Sequence, residues 1–151
     1  MHHKLKKILG LVFVLCLFIG AESQAQQKIS WEQLQDVKFK RRYNATYDAF
    51  FHYPVFGNKV KALEGKDVIL TGYMIPLDVA AGMYALSAVP YSMCFFCGGA
   101  GPESVLGLIF KKPGRRYRTD EYISFRGTFR LNAADVENFN YILEEAVLVP
   151  S

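Results

Sequence analysis

The sequence has 151 residues, of which 18 are lysine or arginine and 14 aspartate or glutamate, so the chain is only mildly basic at +4. Setting aside the first 25 residues, read below as a leader, removes Lys4, Lys6, Lys7 and Glu22. The remaining 126 residues then carry 15 basic and 13 acidic side chains, a net +2. That length suits one domain, and that balance argues against dedicated binding of a polyanion such as nucleic acid.

The chain opens with a basic stretch from Met1 to Lys7, an apolar run from Ile8 to Gly20, and the small-residue site Ser23-Gln-Ala25. These are the three parts of a secretory signal peptide, with cleavage expected after Ala25. The apolar run is too short to span a bilayer, which takes roughly 20 such residues. Cys16 raises the alternative of a lipoprotein leader, but Leu15 before it is not small and apolar sequence continues after it. The protein is therefore expected to be exported, periplasmic or secreted, with no membrane span once the leader is removed. Nucleic acid is also foreign to that setting.

Residues 26–62 read as a helix, a strand and an aromatic segment. Ser30-Trp-Glu-Gln33 has capping-box spacing, which predicts a short helix from Trp31 to about Asp36. Val37, Phe39, Arg41 and Tyr43 alternate with Lys38, Lys40 and Arg42, the period of a strand. Tyr47 to Phe56 is rich in aromatics and is expected to be irregular or an edge element, because Pro54 cannot donate to a ladder. The basic clusters Lys38–Arg42 and Lys111–Arg118 read as solvated faces.

Residues 63–151 carry the clearer pattern. Strands are expected over Asp67–Pro76, Met83–Val89, Ser104–Phe110, Tyr122–Leu131 and Tyr141–Val149, with a single helical turn capped by Asn132 before the last. Gly72 and Gly127 fall inside strands, where glycine marks a bulge or a tight bend at a barrel corner. Five strands with two such bends and no long helix predict a mostly β fold, a small five-stranded barrel with a short N-terminal helix. The pattern resembles an OB-fold. It departs from one in lacking the helix between the third and fourth strands, since Lys111 to Glu121 is short, basic and interrupted by Pro113-Gly114.

The chemistry is concentrated in Met93-Cys-Phe-Phe-Cys-Gly-Gly-Ala-Gly-Pro-Glu103, a loop by its glycines. Cys94 and Cys97 are spaced to meet one metal or each other. As a metal knuckle, the pair supplies two thiolates. A closed zinc site needs four ligands, for which His52, Glu103 and Asp78 are candidates, or a second copy of the chain pooling its own pair. A soft cation such as Cu(I) needs fewer, and Met93 adds a thioether. In an oxidising compartment the same pair can instead form a structural disulfide. Thiol–disulfide catalysis calls for a CxxC at a helix N-terminus, which this setting lacks. Haem attachment fails because position 98 is glycine where histidine is required.

No catalytic arrangement is legible. Gly98-Gly-Ala-Gly101 lies between strands and lacks the helix N-terminus that would cradle phosphate. Glu144 and Glu145 point to opposite faces of one strand. The expectation is thus a non-enzymatic binding protein holding Zn or Cu through Cys94 and Cys97. The alternative is a protein-interaction module in which a Cys94–Cys97 disulfide pins the loop and Phe95 and Phe96 form the contact surface.

Gly72-Tyr-Met-Ile-Pro-Leu-Asp78 followed by Met93-Cys-Phe-Phe-Cys-Gly-Gly-Ala-Gly-Pro-Glu-Ser104 resembles a family of exported bacterial proteins known by a domain-of-unknown-function label, DUF3299. There a glycine-tyrosine, proline-leucine strand precedes a cysteine-pair loop in a small β domain. The resemblance implies an exported accessory protein linked to metal homeostasis. It carries over Cys94 and Cys97 as the site and no catalytic residue.

Overall fold

A computed structural model describes residues 26–112 and 114–150. The expected leader and Cys16 lie outside the described residues.

Chain order runs β1 (Gln27–Lys28), α1 (Trp31–Leu34), β2 (Val37–Asn44), β3 (Ala49–Phe56), α2 (Asn58–Lys61), β4 (Asp67–Asp78), β5 (Met83–Ser87), β6 (Val105–Phe110), β7 (Tyr122–Leu131) and β8 (Tyr141–Leu148). The last five strands close a barrel in the order β4-β5-β6-β8-β7, with β7 returning to β4. Every pairing around it is antiparallel except β6 with β8. The five-stranded barrel expected from the sequence is present, and its closure is compatible with an OB-like fold.

Closure depends on β4 serving two neighbours. Asp67 to Tyr73 pairs with β7, and Tyr73 to Asp78 pairs with β5. The strand must turn a corner between these stretches, and Gly72 sits there. A Cβ on Gly72 would meet the Ser87 carbonyl oxygen at 2.5 Å, so only glycine admits the end of β5. Gly127 does the same in β7, where a Cβ would run into the Glu144 carbonyl and the register with β8 shifts. The alternation of β4 and β7 turns Val68, Leu70, Met74, Phe125 and Phe129 into the barrel, each at most 1% exposed.

No helix occupies the described part of Lys111–Glu121, as the sequence predicts. Tyr117 turns inward from that segment instead, its ring 5.6 Å from Phe110 and 5.5 Å from Phe125.

Tyr47–Phe56 holds an edge element, one of the two forms expected: β3 pairs with β2 without interruption from Val37↔Phe56 to Asn44↔Ala49, forming a separate two-stranded ribbon. Pro54 is tolerated because each strand of such a ribbon is an edge. Asn132–Asn138 needs correction: it forms turns rather than the expected helical turn. The Asn132 side chain accepts from the backbone N–H groups of Ala134 and Asp135 and donates to the carbonyls of Asp135 and Phe139, which offers the backbone an alternative to helix.

Helix α1 has its capping box in place, and the Trp31 indole N–H donates to the Thr71 carbonyl at 2.8 Å. The Asp36 carboxylate accepts from the Lys59 N–H at 2.9 Å and so serves the open N-terminus of α2. Leu34 and Val60, both fully buried, seat the two short helices on the barrel. The buried Tyr141 hydroxyl donates to the Leu34 carbonyl at 2.6 Å.

Two substitutions test this account. Gly72→Ala should lower stability by about 1–3 kcal/mol, the cost of forcing extra volume into a packed site, read as a drop in the urea midpoint. Tyr141→Phe strands the buried Leu34 carbonyl and should cost about 1–3 kcal/mol in the same measurement. An unchanged midpoint in either variant would contradict the corresponding assignment.

Candidate functional site

The loop between β5 and β6 holds the cysteine pair and is fixed at both ends. Its start is tied by the buried Ser87 hydroxyl, which donates to the Val89 carbonyl at 2.7 Å, and by the Ala88 N–H to the Ser104 carbonyl at 2.9 Å. Asp120, across the barrel end, accepts from the Tyr91 N–H at 2.7 Å.

Within it, Cys94 is extended (φ −79°, ψ 177°) and Phe95–Cys97 form one 3-10 turn. The Cys94 carbonyl accepts from the N–H groups of Cys97 at 3.1 Å and Gly99 at 3.2 Å. Gly98 closes the turn in the left-handed region at φ +75°, a conformation other residues adopt only with strain. Gly99 is equally constrained, since a Cβ there would meet the Met93 carbonyl oxygen at 2.5 Å. The glycines after the pair therefore let the chain double back while both thiols stay on one side.

The two thiols differ sharply in surroundings. Cys94 is fully buried among Ile75, Ala85 and Val105, whereas Cys97 is exposed. They are free thiols, and Cys94 lies close enough to Cys97 to perturb it. The Cys97 thiol is held above its ordinary pKa, first by desolvation and then by the adjacent Cys94, as a neighbouring charge and as a hydrogen-bond partner. An activated thiol has the opposite shift, produced by a helix N-terminus or a nearby cation. This pair has neither.

The other candidates do not join the pair as ligands. Asp78 caps the β4–β5 turn, accepting from the N–H groups of Ala80 and Ala81. The charge of Glu103 bears on Tyr141, at the opposite end of the loop from the thiols. His52 lies on the ribbon, and Met93 stands 57% exposed. Among the described residues no three of His, Cys, Asp and Glu come together as a metal-binding group. Among the described residues, then, no third or fourth ligand of a closed zinc site stands beside the pair. Two thiols within reach of one another fit a soft cation of low coordination number, or a disulfide.

Nothing in the residue pattern signals the cleft beside the loop. It has a volume of ≈ 630 Å³ and is walled by Phe95 and Phe96 on one side, Phe51 to Pro54 of β3 on another, and Asn132 to Asn140 on the third. Phe96 packs edge-on against Phe95 and Phe139, at 5.7 Å and 6.1 Å between ring centroids. Phe95 and Phe96 nevertheless remain 40% and 43% exposed. Phe139 was the only residue that could have betrayed this wall, and a lone aromatic in a polar loop carries no periodic signal.

The thiol environments predict an order of reactivity. Iodoacetamide should modify Cys97 in the folded protein and Cys94 only on unfolding. Because the Cys97 pKa is raised, its rate should climb with pH to a midpoint above that of a free thiol peptide. A lower midpoint would contradict the desolvated, closely placed pair.

No protein-family model and no curated protein matches the chain. Among solved structures it is similar to the crystal structure of a DUF3299 family protein from Pseudomonas aeruginosa PAO1, at a TM-score of 0.53 and 17% identity, over 84% of this chain and 98% of that one. At that identity the likeness is one of architecture: the chain shares the fold of a DUF3299 family protein.

Proposed function

We propose that this chain is an exported, non-enzymatic accessory protein, periplasmic or secreted, that holds a thiophilic cation through Cys94 and Cys97. The observation that carries the reading is the closed turn at Cys94–Gly99, which brings two thiols together with one buried and one at the surface. Among the candidate metals Cu(I) suits this pair better than Zn(II), because it accepts two thiolates where structural zinc takes four ligands. A bound cation would also relieve the cost of ionising two adjacent thiols, so binding should release protons.

A second reading rests on a separate observation. Phe95 and Phe96 are large, exposed and set on the rim of an apolar cleft, which is the composition of a contact surface. In that reading the cysteines form a disulfide that pins the loop for a protein partner. The ring it closes is short, so the gain in stability is modest, roughly below 3 kcal/mol.

Native mass spectrometry of protein recovered from its exported compartment separates the two. The expected result is one copper per chain, with binding lost in both Cys94→Ser and Cys97→Ser. A mass two hydrogens below the reduced apo value, with no metal that can be loaded after reduction, would overturn the metal reading in favour of the pinned loop.

A further inference from the structure

The ribbon carries features that the cysteine loop does not use. β3 pairs with β2 on one side only, so among the described residues its other edge has no strand partner. Phe51, His52, Tyr53 and Pro54 all line the cleft. Successive side chains of a strand point to opposite faces, so four consecutive lining residues place the edge of β3 at the cleft, which also reaches onto the face that carries Pro54 and its β2 partner Phe39. An unpaired edge is a template for a further strand.

Charge selects what that strand would be. Lys38, Lys40, Arg41 and Arg42 of β2 are exposed and form no ion pair among the described residues. Arg41 lies 4.1 Å above the Phe50 ring and Arg42 5.4 Å above the Tyr53 ring. Both therefore lean from β2 across β3. Phe50 and Tyr53 are an odd number of residues apart, so one guanidinium flanks the edge on each face of the ribbon. Of the nearby acids, Asp135 accepts from the Asn138 amide and from the Glu137 N–H. The four cations of β2 outnumber Asp135 and Glu137, the two carboxylates that line the cleft, and pair with neither.

We propose that the free edge of β3 binds an extended, acidic segment of a partner polypeptide by strand addition. Its backbone pairs with Ala49–Tyr53, and Pro54, which has no N–H, ends the run. Its carboxylates meet Arg41 or Arg42, and its apolar side chains meet Phe95 and Phe96 across the cleft. Lys38 and Lys40 add long-range attraction that speeds encounter. The proposal does not depend on what Cys94 and Cys97 hold.

The test is fluorescence anisotropy with a short labelled peptide of alternating glutamate and valine. Saturable binding is expected, with no binding of the alternating lysine and valine peptide. The double variant Arg41→Ser/Arg42→Ser should weaken binding roughly tenfold or more, the effect of removing a hydrogen bond to a charged group. Strand addition also predicts an asymmetry. N-methylating the amides at one alternating set of peptide positions should abolish binding, while N-methylating the other set should leave it intact. Equal binding of both methylated peptides would overturn the proposal, because attraction would then be ionic only. Absence of peptide binding would overturn it as well, and capture of the protein by phosphatidylglycerol vesicles in that case would assign the cations to a lipid surface. Cys94→Ser should bind the peptide as the unaltered chain does, so failure here is distinguishable from failure of the metal reading.

Discussion

The hydrogen bond from the Tyr141 hydroxyl to the Leu34 carbonyl joins the parts on which both candidate surfaces depend. Tyr141 begins the last barrel strand, and Leu34 ends the first helix, where carbonyls lack intrahelical partners. The Tyr141 ring sits 5.6 Å from Phe129 of the barrel and 5.7 Å from Phe56, the residue at which the ribbon returns to the core. Burial, and then the charges of Glu103 and Asp36, push its hydroxyl well above the ordinary tyrosine pKa. It therefore stays protonated, and a donor, throughout the accessible pH range. Glu103 belongs to the cysteine loop and Asp36 to the turn that starts the ribbon, so both elements converge on this one buried group.

The cysteine loop then follows from a contrast within four residues. Cys94 is sunk among Ile75, Ala85 and Val105, while Phe95, Phe96 and Cys97 are held out. Large apolar side chains are exposed at a cost, and a mobile loop would fold them inward. Here the backbone is closed by bonds to the Cys94 carbonyl, by the left-handed Gly98 and by the tether to Asp120, so the rings have no inward route. What they obtain is partial cover from each other and from Phe139.

How much of this was legible depends on whether the information is local. Strand periodicity and the glycines at 72 and 127 revealed the barrel, because a corner that excludes a Cβ can be filled by one residue type only. The capping box at Ser30–Gln33 likewise marked its helix. Asn132 misled for a local reason too: asparagine serves equally well as a helix cap and as the centre of a turn, and the choice is made by Asp135, Asn138 and Phe139 around it. The cysteine spacing pointed to Cys94 and Cys97, yet it could not show that Asp78 is taken up in its own turn. Where His52 and Glu103 come to lie relative to the pair depends on segments distant in the chain. The cleft was illegible for the same reason, since its walls come from three segments with no shared pattern. Composition did show that Tyr47–Phe56 was unusual. It could not show that β3 would pair with β2 along its whole length.

That ribbon poses a problem that its own sequence answers. Two-stranded sheets are marginal alone and expose both edges, an invitation to pair with any extended chain. In β2 the hazard is blunted by Lys38, Lys40, Arg41 and Arg42, because a second copy would set like charges against like. β3 contains no lysine, arginine, aspartate or glutamate, and Pro54 alone interrupts the donors. Protection there comes from position, since this edge lies inside the cleft and is walled by Phe95 and Phe96. The two edges are thus guarded by different means. One repels through charge, and the other admits only what is narrow enough to enter and acidic enough to pass the guanidinium groups above and below it. A strand built solely to hold the fold together would have had the first kind of protection on both sides.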